Sequence, residues 1–193
     1  MKKLLLATML VLASMSASAQ HAVGGFTLQP QVGMTLATVT SFDDAKMKVG
    51  LVAGAEVEYQ ATDMLGIAGG LQYAMQGCAI DGADDNLNLD YLNIPIRAKV
   101  YVAPGFSINA GVQFGFLTRA KAGDYDIKDY TESFDFSIPL GASYEISNVV
   151  IDARYNLGLT KLSKEKKVGD AWVDGTDSKN SVIMLTVGYR FDL

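Results

Sequence analysis

The stretch Phe106-Ser107-Ile108-Asn109-Ala110-Gly111-Val112-Gln113-Phe114-Gly115-Phe116 alternates apolar residues at even positions with polar or small residues at odd positions. A period of two places the apolar side chains on one face of a β-strand. Seven other stretches between Phe26 and Leu193 repeat the alternation. Their links alternate in length. The links 61–64, 103–105 and 147–148 are short, and about 40–46, 79–88, 120–132 and 161–180 are longer and polar. The sequence therefore predicts eight antiparallel strands.

An export signal precedes these strands. Lys2 and Lys3 are followed by an apolar run over 4–12 and by the small-residue site Ala17-Ser18-Ala19. This order is typical of a cleaved signal peptide, and the run is too short to span a bilayer as a helix. We predict a signal peptide at 1–19 and one barrel domain at 20–193.

Composition narrows the class of protein. The net charge of −5 becomes −7 once Lys2 and Lys3 are removed with the signal peptide, and no basic stripe is present. An acidic chain of this kind argues against nucleic acid as a partner. Cys78 is the single cysteine, so an internal disulfide is excluded. After the signal, no apolar stretch reaches the length of a membrane helix.

The residues opposite the apolar face distinguish a membrane barrel from a soluble one. They are small or charged, with both signs present, as the narrow lumen of an eight-stranded membrane barrel requires. The expected lumenal charge network is Glu56, Glu58, Arg97, Lys99, Arg119, Glu145, Asp152, Arg154 and Arg190. Aromatic residues gather where the strands meet the short turns, as in an interfacial girdle. The expected girdle is Phe26, Tyr59, Phe106, Tyr144, Tyr189 and Phe191.

These patterns together predict an all-β fold, an eight-stranded antiparallel up-and-down transmembrane β-barrel in the outer membrane. Short turns are typical of the periplasmic side of such barrels, and long loops are typical of the outside. An even number of strands then leaves the N-terminus and the C-terminus in the periplasm. We expect a monomer.

Two segments resemble the PorT-like outer-membrane β-barrel family of Bacteroidota-type bacteria. Leu89-Asp90-Tyr91-Leu92-Asn93-Ile94-Pro95-Ile96 is similar to the family's Y-L-x-I-P-[IL] stretch in the fourth strand. Gly188-Tyr189-Arg190-Phe191 resembles the C-terminal signal read by the barrel-assembly machinery. Family members often carry an acidic residue where Asn93 stands here. The resemblance implies the fold, the outer membrane and contact with the assembly machinery. It implies no single function, since most members have no defined activity and the namesake serves a secretion system.

Residues for catalysis are sparse. Barrel enzymes that act on lipid or peptide commonly use a histidine as general base, and the single histidine, His21, lies outside every predicted strand. Glu56 and Glu58 share one face of a strand, which suits either a carboxylate pair or salt bridges to lumenal cations. The acidic run 81–86 lacks the spacing and terminal Glu of a calcium-binding EF-hand. We expect no enzyme, no metal and no cofactor.

The long loops and the outer lipids supply the remaining candidates. Lysines cluster in the longest loop, where lipopolysaccharide phosphates are possible counter-ions, against the alternative of an ordinary solvated charge run. The possible lipopolysaccharide contacts are Lys161, Lys164, Lys166 and Lys167. The preferred function is a structural or recognition role through the loops, with a side-chain-filled lumen. The alternatives are a narrow porin-like channel for small solutes, then a secretion-system accessory barrel or a lipid-modifying enzyme.

Overall fold

The computed structural model describes residues 22–40, 45–80, 86–162, 166–168, 171–173 and 177–193. Eight long strands dominate this part of the chain, and each pairs antiparallel with its neighbours in sequence. The strands are β1 (Phe26–Val39), β2 (Lys48–Gln60), β3 (Leu65–Ile80), β4 (Asn86–Ala103), β5 (Phe106–Ala122), β6 (Phe134–Ile146), β7 (Val149–Gly158) and β8 (Asn180–Tyr189). The predicted eight-stranded up-and-down barrel is confirmed.

The barrel closes between its first and last strands. β1 pairs with β8 from Gln31 opposite Gly188 to Val39 opposite Asn180, and the short strand Phe191–Asp192 extends this pairing toward the start of β1. Following paired residues once around the barrel from Phe26 leads back to Leu36 on the same strand, a stagger of ten residues. With eight strands, this stagger corresponds to a strand tilt of about 40°.

The two ends of the barrel differ. At the turn end, defined by the three short links, Gly105 (φ 70°) and Ser147 (φ 57°) adopt the left-handed conformation within their hairpin turns. At the loop end, two short strands extend the sheet. Ala45–Lys46 pairs with β3, and Tyr125–Asp126 pairs with β5. A 3₁₀ turn at Lys128–Tyr130 and a hairpin of Lys166–Val168 with Ala171–Val173 also lie in the loops. In the described ranges, no helix is both long and apolar enough to cross a membrane.

A β-bulge interrupts the pairing of β4 with β5 near the loop end. Asp90 lies opposite Arg119 and Tyr91 lies opposite Leu117, so that Thr118 is an extra residue on β5. A bulge of this kind shifts the alternation of the following side chains by one position. Leu117 points into the barrel and Thr118 to the outside, as the alternation predicts, but Arg119 is also exposed on the outside and Ala120 is buried inside.

Burial follows the alternation along the rest of the barrel. Apolar side chains such as Val32, Leu51 and Ile108 are about half exposed on the outside, and the polar residues between them are buried inside. This is the reverse of a soluble barrel, which buries its apolar face. The predicted signal peptide at 1–19, His21 and most of the acidic run 81–86 lie outside the described residues.

Candidate functional site

Four charged residues form a central ion cluster in the lumen: Glu56 from β2, Arg97 from β4, and Asp152 and Arg154 from β7. Each belongs to the inward-facing set of its strand, because it is buried while its apolar neighbours on either side are exposed or partly exposed. All four side chains are 2% exposed or less. The stagger of the barrel brings β2 and β4 opposite β7, so these contacts cross the lumen.

The geometry of the central ion cluster is that of two arginines bridging two carboxylates. Arg97 donates from Nη2 to Glu56, and its Nη1 lies 3.1 Å from Asp152 Oδ2. Arg154 donates from Nη1 to Glu56 Oε1 at 3.2 Å and from Nε to Asp152 Oδ1 at 2.6 Å. Two neutral side chains also donate hydrogen bonds to these carboxylates. Gln72 Nε2 donates to Glu56 at 2.7 Å, and Ser143 Oγ donates to Asp152 at 2.6 Å. Buried charges in this arrangement are both paired and hydrogen bonded.

A turn-side ion cluster lies between the central ion cluster and the short turns. Lys99 Nζ is 2.6 Å from Glu58 Oε2, and Arg190 Nη1 is 2.6 Å from Glu145 Oε2. The Tyr101 hydroxyl links the two pairs, since it donates to Glu58 Oε1 at 2.7 Å and lies 3.4 Å from Glu145 Oε1. Two cations therefore balance two anions here, as they do in the central ion cluster.

The loop end of the lumen is apolar, which the sequence pattern did not reveal. Inward-facing residues at the ends of the strands form an apolar plug together with Leu162 from the longest loop, and Ile127 from another loop packs against it. The plug residues are Val39, Cys78, Leu89, Tyr91, Leu117, Ala120 and Leu162. Only the density of apolar residues at the inward positions of β4 near Leu89 and Tyr91 could have signalled it.

A layer of amide side chains separates the plug from the central ion cluster. Several of their buried polar atoms have no hydrogen-bond partner, among them Gln72 Oε1, Asn93 Nδ2, Gln113 Oε1 and Asn156 Oδ1. A second apolar cluster, which includes Val52 and Met184, lies inside the barrel in the same region. The described part of the lumen is thus filled by side chains from the turn end to the plug.

The ion pairs of the two clusters limit the reactions that the lumenal side chains could catalyse. Glu56 and Glu58 share one face of β2 and each is already bonded to a cation, so neither is placed as a general base with a free lone pair. Within the residues that the structure describes, no group of His, Cys, Asp or Glu side chains is arranged to hold a metal ion.

Arg119 is the one correction to the expected lumenal set. The bulge on β5 turns it to the outside of the barrel, where its side chain is 54% exposed and its Nη1 lies 3.8 Å from Asp90 Oδ2. The alternation on β5 predicts an inward side chain at this odd position, and the extra residue Thr118 reverses that prediction. The structure places the other eight residues of the set inside the barrel.

The six aromatic residues of the expected girdle lie at the turn end, on the outward face. Phe26 pairs with Tyr59 and Phe106 with Tyr144 on adjacent strands. The rings of Phe26 and Tyr59 are 4.9 Å apart, as are those of Tyr189 and Phe191. A second aromatic group toward the loop end was missed, because it lies on only two strands: Phe114, Phe116, Phe134 and Phe136.

The lysines of the longest loop are placed only in part. Lys161 Nζ lies 2.8 Å from Asp177 Oδ1, and the hydrogen bond from Lys161 lowers the pKa of the Asp177 carboxyl. Lys164 lies outside the described residues, and only the backbone of Lys166 and Lys167 is described, in the short hairpin. The ammonium of Lys161 is thus ion-paired with an exposed carboxylate.

Comparison with known proteins identifies relatives of the fold. A family model described as the outer membrane protein beta-barrel domain matches residues 5–191. No curated protein matches the chain. The structure of Neisserial surface protein A aligns with a TM-score of 0.56 at 16% identity, covering 86% of this chain and 97% of that chain. Ail, the attachment invasion locus protein of Yersinia pestis, aligns with a TM-score of 0.51 at 16% identity, covering 88% and 100%. At these identities the likeness concerns the fold alone.

Proposed function

Because this chain belongs to the outer membrane protein β-barrel domain family and lies in the outer membrane, we propose that it spans the membrane as a closed, non-conducting barrel. Its work is structural, or is recognition through the long loops. The observation that supports this most directly is the filled lumen, in which two ion clusters and an apolar plug lie one above the other.

Each part of the lumen opposes ion passage in its own way. The ion clusters bind their side chains to one another across the barrel, so a passing ion would have to break buried salt bridges. The polar side-chain groups of the apolar plug are the buried Tyr91 hydroxyl and the Cys78 thiol, and apolar constrictions exclude ions by excluding water. An eight-stranded barrel has no spare width beside these side chains.

Planar-bilayer recordings of the refolded protein test this proposal. We expect no stable conductance steps, with insertion verified in the same sample by the shift in electrophoretic mobility between unheated and boiled protein. Steady unitary steps from inserted protein would overturn the closed barrel. They would support the narrow channel instead, for which the unpartnered amide atoms of Gln72 and Gln113 are the favouring observation.

The proposal includes the absence of catalysis. The carboxylates of the two ion clusters are engaged by cations, and the buried Asp135 accepts a hydrogen bond from Asn180 Nδ2 at 3.3 Å. The single histidine, His21, is outside the described residues. The double variant E56Q/E58Q should therefore leave the lipid A and phospholipid mass profiles of its host unchanged. A profile that changes with these substitutions would support a lipid-modifying enzyme.

Orientation, assembly and oligomeric state belong to the same proposal. The short turns and both termini face the periplasm, and the long loops, with exposed Tyr125 and Tyr130, face the outside.

The terminal Gly188-Tyr189-Arg190-Phe191 is the segment that the barrel-assembly machinery reads, and the barrel is a monomer. Within the outer-membrane barrels, the segment 89–96 supports assignment to the PorT-like group. If that assignment holds, the alternative function is that of a secretion-system accessory barrel.

A further inference from the structure

A set of polar side chains lies on the outer wall of the barrel at the loop end of β4 and β5. Asp90 belongs to the outward-facing side of β4, since its neighbours Leu89 and Tyr91 are buried inside, yet Asp90 is itself buried. The β-bulge brings Arg119 to the outside opposite Asp90. Bulges often redirect a side chain at a functional position. A carboxylate and a guanidinium at the edge of a lipid-facing wall therefore suggest a site.

Asp90 is held within the wall by one hydrogen bond to its carboxylate and one to its backbone carbonyl. The Tyr73 hydroxyl donates to Asp90 Oδ2 at 2.8 Å, and Thr118 Oγ1 donates to the Asp90 carbonyl at 2.9 Å. Arg119 Nη1 is farther away, at 3.8 Å from the same carboxylate oxygen, and its side chain is more than half exposed. Asp90 thus orients the guanidinium and leaves most of its N–H groups open to the outside.

A second cation lies beside the first. Lys128 is exposed, and its Nζ donates to the carbonyl of Thr118, the residue before Arg119, at 3.1 Å. The nearby Asp126 carboxylate accepts the backbone N–H of Lys128 at 2.9 Å. This hydrogen bond fixes the loop, and the Asp126 carboxylate keeps its negative charge. Arg119 and Lys128 together present two positive groups at one point of the rim.

The wall below these cations is aromatic. Phe116 and Phe134 are 45% and 41% exposed, and their ring centroids are 5.8 Å apart. Phe116 lies on β5, three residues before Arg119, so the positive groups stand above an apolar surface that faces the hydrocarbon. We call Arg119, Lys128, Phe116 and Phe134 the rim site. Cations above an apolar surface match an amphiphile with a negative headgroup.

We propose that the rim site binds a phosphorylated glycolipid of the outer leaflet, of the lipid A type. Arg119 holds a phosphate through its planar donor fork, Lys128 adds a second charge, and acyl chains cover Phe116 and Phe134. This inference rests on the proposed function, which places the loop end outside, where the leaflet is built from such glycolipids. It places a lipopolysaccharide contact on the wall of the barrel, in addition to the loop position of Lys161, which is ion-paired with Asp177.

Retention of added lipid A on the detergent-solubilised barrel, followed by native mass spectrometry, tests this proposal. The probes are bisphosphorylated lipid A, the same lipid with its phosphates removed, and phosphatidylethanolamine. We expect the bisphosphorylated lipid to be retained preferentially, and its apparent affinity to fall at least about tenfold in R119Q/K128Q. The control K179Q removes one charge at the opposite end of the loop region and should retain lipid A as the unmodified protein does.

Three outcomes would overturn the rim site. They are equal retention of the dephosphorylated lipid, equal retention of phosphatidylethanolamine, and unchanged affinity in R119Q/K128Q. Folding of each variant is checked by its electrophoretic mobility before and after boiling. The bilayer recordings keep the two proposals distinguishable. A conducting barrel with phosphate-dependent retention overturns the closed lumen alone, and a silent barrel without retention overturns the rim site alone.

Discussion

Arg97 and Arg154 each contact both Glu56 and Asp152, so every charge of the central ion cluster has two opposite neighbours. Removing one carboxylate would leave two buried guanidinium groups facing one anion. Breaking a buried ion pair from one side is more damaging than replacing the whole pair, because the remaining charge keeps its desolvation cost. The stability of this cluster is therefore a property of the set of four.

The substitution E56Q tests this at the level of one residue. It preserves the shape of the side chain and removes its charge, and we expect it to lower the free energy of unfolding by about 3 kcal/mol. Urea unfolding of the barrel in lipid vesicles measures the change. The control E132Q neutralises a glutamate outside the central ion cluster and should change the stability little.

The double variant E56Q/R154Q shows whether the loss arises from unpaired charge. Its destabilisation should be smaller than the sum of the two single losses by about 1 kcal/mol or more, as expected for groups in direct contact. Additive losses would mean that Glu56 and Arg154 act independently.

At the scale of the strand, inward-facing glycines let neighbouring backbones approach closely. A Cβ added at Gly111 on β5 would lie 2.0 Å from the Ile96 carbonyl oxygen of β4. The contact is with backbone, so no side-chain rotation relieves it. Gly69 on β3 is the contrasting case, since a Cβ there would have no atom within 4 Å.

The pair of variants G111A and G69A isolates this effect. We expect G111A to lower the unfolding free energy by about 2 kcal/mol, in the range typical of overpacking, and G69A to be neutral or slightly stabilising. Both are measured by the same vesicle unfolding assay. Equal effects of the two substitutions would show that the close approach at Gly111 does not constrain the barrel.

The strands were predictable from sequence where they face lipid. β1 is observed at the predicted bounds Phe26–Val39, because its alternation continues along its length. β3 and β5 run beyond the predicted ends, to Ile80 and Ala122. Their last residues continue the backbone pairing above the membrane-facing band, where no lipid enforces alternation. The bulge at Thr118 was hidden for the same reason.

At the scale of the whole molecule, the lumen is closed by different means at different depths. Salt bridges close it near the turns and at its centre, and the apolar plug closes the loop end. Cys78 lies within the plug and is 2% exposed. Its thiol therefore reports on how often the mouth of the barrel opens.

Labelling of Cys78 with a membrane-impermeant maleimide measures that opening. We expect the folded barrel to react about tenfold or more slowly than the urea-unfolded chain, because burial withholds the thiolate from the reagent. A matched reporter is Tyr125→Cys in a Cys78→Ala chain, at a loop position that is 80% exposed. It should react rapidly in the folded barrel. Equal rates for the two positions would contradict a closed plug.

The interior contacts were less predictable than the strands. Alternation identified Glu56 and Arg97 as inward-facing, but it does not say which residues meet across a lumen. That depends on the stagger of ten residues, which only the strand pairing defines. The plug escaped prediction because Leu162 and Ile127 reach it from loops that carry no periodic pattern.

The contacts across the lumen also bear on how the barrel forms. Glu56 and Arg154 are 98 positions apart in the chain, and they meet only when β7 has joined the sheet. Before β7 joins, the charged side chains of β2 and β4 are hydrated. When β7 joins, they exchange this water for salt bridges at the same time. Strand formation and resistance to SDS should follow one time course during refolding, and separate time courses would contradict this coupling. The central ion cluster thus makes closure cooperative: the assembling barrel is either open and hydrated or shut and dry.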